Sequence, residues 1–313
     1  MVSSGPCHRL FPVLVTLSLF GATLAQTPAP AVPKPGSEGK AQEPEAASGQ
    51  RDDLQALAQS VETAHRPKGP VPAVTALRAS FEVHLTDPAA EQKGQVDLAV
   101  QYLEWTRPGA SRPVALLRYQ VGDAGTQVTR GRDRDGPWHL VQGKPRDLNA
   151  DFQQDLDTFQ AHANLMKQLV RFLSPGTVLR ALQQPGPVSS EVLVVARGSE
   201  VGCRTIAGDL ASFPLVRGGS DDGPVHVRFF VDQANGRLCA LDAWPLRDGK
   251  RDDRQGERVL LLDFFERDGL LVPRRILHLF RDEQGKPRPN TEAVLMKLEL
   301  RPELRAEDFD RTR

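Results

Sequence analysis

From Leu77 onward, apolar residues recur at every second position in run after run. Phe81, Val83 and Leu85 alternate with Ser80, Glu82 and His84; Val96, Leu98 and Val100 alternate with Gln95, Asp97 and Ala99. Period two is the strand period, and one apolar face opposite one polar face marks a half-buried antiparallel sheet. Residues 114–121, 127–130 and 138–141 continue the pattern, broken by turn signals at Gly122-Asp123, Gly125 and Arg134-Asp135-Gly136. Residues 225–232 and 237–244 flank Ala234-Asn235-Gly236, and residues 258–266 and 271–280 flank Arg267-Asp268-Gly269. Asn-Gly or Asp-Gly between alternating runs predicts a hairpin. Pro273 lacks an amide donor and predicts an edge position or a late strand start. Residues 191–196 and 294–300 add further strands, and Phe309 in the polar tail is a candidate to dock. Gly- and Asp-rich stretches around 198–223 and 247–256 read as loop insertions.

Two stretches follow helical spacing instead. Leu54, Leu57, Ala58 and Val61 make a stripe over 52–64 that ends in the breaker cluster His65-Arg66-Pro67-Lys68-Gly69-Pro70. Phe152, Leu156, Phe159, Ala163, Met166, Val170 and Leu173 form a longer seam, widened by Leu165, Leu169 and Phe172 and stopped at Ser174-Pro175-Gly176. A short third helix is expected over 177–184. The predicted fold class is therefore α+β: a curved antiparallel sheet of roughly ten strands, a half-open barrel with helices packed on its concave face.

The chain ends constrain the compartment. Residues 11–25 are apolar with small residues at their close, preceded by His8 and Arg9, which reads as an export signal over residues 1–25. An uncleaved membrane tether is the alternative, although the run is shorter than the roughly 20 residues that span a bilayer. Residues 26–50 are Pro, Ala, Gly and Glu with little to bury, and read as a linker before a single domain at 51–313. A periplasmic or secreted location follows. There Cys203 and Cys239 form either one disulfide, closing a loop of about 37 residues and worth roughly 3–4 kcal/mol, or two buried free thiols.

Charge and motifs exclude several functions. Forty basic residues balance forty acidic ones, and clusters such as Arg130-Gly131-Arg132-Asp133-Arg134 interleave both signs, so no nucleic-acid partner is expected. The sequence holds no HExxH, no phosphate-binding glycine loop and no GxSxG elbow, and no cofactor, metal or catalytic residue is assigned. His84, His139, His226 and His278 fall in predicted strands and are expected to face solvent or be satisfied. Asp221-Asp222 and Asp252-Asp253 read as solvated loop charge. What remains is apolar. Phe81, Val83, Leu98, Trp138, Phe152, Phe159, Met166, Phe229 and Phe264 are the candidates to line a ligand cleft. Each taken singly reads better as core, and only together do they suggest a cleft.

The order of features resembles a known family. Leu77-Arg78-Ala79-Ser80-Phe81, then Gly94-Gln95-Val96-Asp97-Leu98, then Asp135-Gly136-Pro137-Trp138 are similar to the opening of LolA/LolB-type outer-membrane lipoprotein carriers. Residues 232–238, 259–276 and 300–309 look like that family's closing strands. The resemblance spans most of 51–310 and implies a non-enzymatic, monomeric periplasmic protein. Its partner would be a lipidated protein or a lipid whose acyl chain enters a hydrophobic cavity, with envelope or membrane proteins as further partners. A relative with the same fold and a filled core would instead be a structural or sensory module of the envelope. The chain departs from the family in its extra length around 188–224 and 245–256, and in Tyr102 standing where the family has a strand-two arginine.

Overall fold

The computed structural model describes residues 45–87, 92–111, 113–121, 128–141, 144–145, 163–196, 199–216, 223–281 and 287–310. The chain divides into two units, 1–42 and 43–313, and every described residue lies in the second. The signal and most of the linker expected at the N-terminus fall outside the described residues. So do Phe152 and Phe159.

Helix α1 (Glu45–His65) opens the described chain. It begins ahead of the expected start, so residues 45–50 of the stretch read as linker are helical. Strands β1 (Ala76–Asp87), β2 (Gln92–Trp105), β3 (Val114–Val121), β4 (Val128–Arg132), β5 (Pro137–Val141) and β6 (Lys144–Pro145) follow as a meander. Helical residues 163–172 form α2, and α3 (Pro175–Arg180) follows with Pro175 in its first turn. Ser174-Pro175 therefore both ends α2 and starts α3, because proline fits a helix start but not its interior.

The second half of the sheet comprises β7 (Ser189–Ala196), β8 (Ser199–Phe213), β9 (Gly223–Asp232), β10 (Leu238–Arg247), β11 (Lys250–Arg251), β12 (Glu257–Arg267), β13 (Leu270–Arg281) and β14 (Pro287–Leu300). All strands join one antiparallel sheet in the order β6-β5-β4-β3-β2-β1-β14-β13-β12-β10-β9-β8-β7, with β11 folded back on β10. Consecutive strands pair almost throughout. The exceptions are β6 and β7 at the opposite edges, β10, which pairs with β12 past the short β11, and β14, which returns to lie beside β1 and joins the two halves.

Turn chemistry sets the registers. Asp268 and Gly269 both have positive φ (49° and 80°), which gives the two-residue turn that matches strand twist, and Arg267 pairs directly with Leu270. At the β9–β10 turn the Asp232 carboxylate accepts from the Ala234 amide at 2.8 Å and from the Asn235 side chain at 2.6 Å, while Gly236 takes φ 71°. Pro273 lies inside β13, an interior strand. Its ladder to β14 begins only at Arg275, so the missing amide falls where β13 has one neighbour.

Strand β8 departs from expectation most. It occupies the region read as a loop insertion, and its fifteen residues are interrupted by Gly202, Gly208, Arg204 and Asp209. Gly208 serves packing: a side chain there would press on the Gln183 carbonyl at 3.0 Å, where Gln183 bridges to Asp209. The 247–256 stretch is likewise ordered as β11 and a 3-10 turn at Asp253–Gln255.

One buried cluster runs from Leu117 and Tyr119 on β3 to Ile206 and Leu210 on β8, and includes Leu54, Leu57 and Val61 of α1, Met166 and Leu169 of α2, and Leu179 of α3. Those nine strands would span roughly 40 Å if flat. A few helices, each about 10 Å across, cover that span as one connected core only if the sheet curls around them. The result is an open half-barrel with its helices on the concave, inner face.

The candidate site between sheet and helices

Strand parity decides which expected residues meet. Leu77, Ala79, Phe81 and Val83 of β1 point inward with Leu98 and Val100 of β2, and Arg78, Ser80, Glu82 and His84 point outward. Phe81, Val83, Leu98, Met166 and Phe229 are each no more than 2% exposed and belong to the inner cluster. Phe264 is half-buried at its margin, edge-on to His65 with ring centroids 5.5 Å apart. Six of the nine cleft candidates are thus brought together.

Trp138 is not among them. It pairs through Gly131 with Arg118, whose guanidinium lies over the indole, and both are on the outer face. The Trp138 indole N–H donates to the Phe309 carbonyl at 3.0 Å. Phe309, fully buried, packs with Leu116 and Leu304, so the docking of Phe309 covers the outer face rather than the core. A glycine at 131 leaves the space that the indole fills.

Alternation does not reveal the polar groups inside. On α2, the Gln168 amide donates to Glu257 Oε1 at 2.8 Å and to the Pro214 carbonyl at 2.7 Å, while Asn164 donates to the Leu215 carbonyl at 2.6 Å. The Val216 amide donates to the second Glu257 oxygen at 3.0 Å. These bonds clip α2 to the end of β8 and the start of β12. At the other helix, the Leu238 amide donates to His65 Nε2 at 3.1 Å, fastening the end of α1 to β10. Burial holds the His65 pKa down at about 4.

His278 is the exception among these groups. It was expected to face solvent or be satisfied. Instead it sits fully buried on the inner face, beside Val259, and among the described residues neither ring nitrogen has a hydrogen-bond partner. Burial again lowers its pKa to about 4, so it is neutral at neutral pH.

The remaining titratable candidates do not converge on it. His84 contacts Glu82 at 2.8 Å and His226 contacts Asp209 at 2.7 Å, both on the outer face. The side chain of His139 and the whole of His162 lie outside the described residues. Among the described residues no group of three or more His, Cys, Asp or Glu is placed to hold a metal. Cys203 and Cys239 are two buried free thiols with sulfurs 3.5 Å apart, packed with Phe230 and Leu260 on the outer side. Burial raises the pKa of both. Among the described residues no helix is long and apolar enough to cross a membrane.

No family model matches the sequence, and no curated protein matches it. Solved structures similar to it include a putative outer membrane lipoprotein-sorting protein domain from Vibrio parahaemolyticus (10% identity, 83% of this chain and 97% of that one, TM-score 0.40). A LolA superfamily protein from Nitrosomonas europaea (11% identity, 82% and 97%, TM-score 0.37) is another. A DUF1329 family protein from Desulfovibrio piger (10% identity, 83% and 97%, TM-score 0.42) is a third. At these scores the likeness carries no functional argument, and the description of the fold rests on the strands and helices above.

Proposed function

We propose that this chain is a non-enzymatic binding protein or carrier of the cell envelope that holds a lipoprotein acyl chain, or another lipid, between the inner sheet face and the helices. One observation supports the reading above the others. A continuous apolar surface crosses nine strands and is covered by helices rather than by a second sheet, with α2 attached at one end through side-chain hydrogen bonds. A helix held in this way can lift and expose the apolar face without breaking the sheet ladder. Phe81, Val83, Leu98, Met166, Phe229 and Phe264 would then meet the chain. Phe152 and Phe159 extend the same helical seam in sequence. The apolar N-terminal segment, with its small-residue close, supports export.

The test is direct. Purified, delipidated protein should bind 1-N-phenylnaphthylamine saturably, and fatty acids or lysolipids should displace it. Native mass spectrometry of undelipidated protein should show retained acyl mass. Absence of both would sink the reading.

The tight burial of the inner cluster favours a second reading, an envelope interaction module with a filled core. Such a module would capture a protein partner, and enlarging Val83 or Leu98 would leave that capture unchanged.

A further inference from the structure

His278 sits where an apolar side chain would be expected. Along β13 its same-face neighbours are Ile276 and Phe280; across the ladders they are Val259 on β12 and Thr291 on β14. Ile276, Val259 and the nearby Leu261 and Ala293 all belong to the inner core. Both ring nitrogens are buried and make no hydrogen bond among the described residues. Folded proteins seldom keep such a group without a use for it, because its lost hydration is not replaced. The polar groups nearest in the ladder do not relieve it. Glu257, two residues before Val259 on the same face, already accepts from Gln168 and from the Val216 amide. That contact also places α2 over this part of the sheet, at the end where the helix is clipped on.

We propose that His278 is the polar anchor of the internal lipid site, hydrogen-bonding the ester or amide carbonyl, or the hydroxyl, at the head of an acyl ligand. The assignment rests on the lipid-binding reading and adds the class of head group to it. A buried neutral imidazole offers one N–H donor and one acceptor, which complements an uncharged head that carries a carbonyl or hydroxyl. It supplies no cation to hold a free carboxylate. The ligand class favoured is therefore an esterified or amide-linked acyl chain, as in an acylglycerol or an acylated protein terminus, over a free fatty-acid anion. The surrounding Ile276, Val259 and Leu261 receive the first methylenes.

Two probes separate the anchor from the apolar site. Pyrenedecanoyl glycerol carries an ester head; pyrenyldecane carries none. In titrations of the purified full chain, wild type should bind the ester probe roughly tenfold more tightly than His278→Leu does. Both proteins should bind pyrenyldecane alike. His278→Gln, which keeps a donor and an acceptor, should recover much of the preference, and thermal melts of each variant report folding independently. Equal ester binding by wild type and the folded Leu variant would overturn the anchor while leaving the lipid site standing. Failure of wild type to bind either probe would overturn both.

Discussion

The two faces of the sheet are built from the same strands and solve different problems. The inner face buries Phe81, Leu98, Phe229 and Val259 against helices, and side chains of α2 and α1 bond Glu257 and the Leu238 amide there. The outer face is held by ladders of charge. Arg258 forms a two-pronged ion pair with the buried Asp242 at 2.5 and 2.7 Å, Arg228 pairs with Glu191, and both guanidiniums lie over Phe230. Arg275 joins Glu292 and Asp263 further along. The difference teaches that alternation alone does not separate core from solvent here. Both faces bury residues, and among the described residues the inner one alone carries an apolar cluster that crosses nine strands beneath the helices.

Breaking the inner face should have the largest effect. Phe81→Ala should cost about 3–5 kcal/mol in chemical denaturation, because the cavity cannot collapse within a packed core. The outward-facing Arg78 on the same strand is exposed and pairs with Glu299 at 3.1 Å, so Arg78→Ala should change stability by less than about 0.5 kcal/mol. Similar losses at both positions would erase the distinction between the faces.

Acid should act on the inner face next. His65 and His278 are held near 4 against an ordinary value of 6.5, so between those limits the unfolded chain binds more protons than the folded one. Stability is then complete above about pH 6.5 and falls as pH drops towards 4, by roughly 3 kcal/mol per histidine. Urea midpoints across that range should show the decline, and His278→Leu should remove about half of it. A flat profile would mean that these histidines are hydrated in the folded state.

On the outer face, Asp242→Ala leaves the Arg258 guanidinium short of its partner in a partly buried position. A loss of about 2–3 kcal/mol is expected, smaller than that for a deep core deletion because Arg258 retains some contact with water. Replacing both residues by apolar ones should restore most of it. Trp138→Phe is the mildest change. Losing the bond to the Phe309 carbonyl should cost about 1 kcal/mol and speed amide exchange in residues 304–310, with no change in acyl-probe affinity. An altered affinity would place Trp138 in the site after all.

Much of this architecture was legible beforehand. The hairpins announced themselves because Asn235-Gly236 and Asp268-Gly269 supply the backbone conformations that tight turns need. The α1 stripe and the later part of the α2 seam followed from spacing. Strand β8 was hidden because its glycines and charges answer to neighbours distant in sequence: Gly208 to Gln183, and Asp209 to His226. Trp138 was misplaced because period two separates the faces of one strand without saying which face another strand presents to the core. The outer cover supplied by Phe309 comes from the far end of the chain. His278, by contrast, shares the parity of Ile276 and Phe280. Its inward position was readable from that parity, but its burial was not, because an imidazole ordinarily keeps contact with water or a partner.

The location of a bound acyl chain decides whether the lipid site is internal. Photo-crosslinking with a diazirine-bearing palmitoyl lipid, followed by peptide mass spectrometry, locates the chain directly. Saturable adducts are predicted on the inner face, within residues 81–83, 96–100, 163–173 and 225–231, and competing unlabelled lipid should suppress them. Adducts confined to outward residues such as Arg118, Trp138 and Lys297, or labelling that does not saturate, would contradict an internal lipid site.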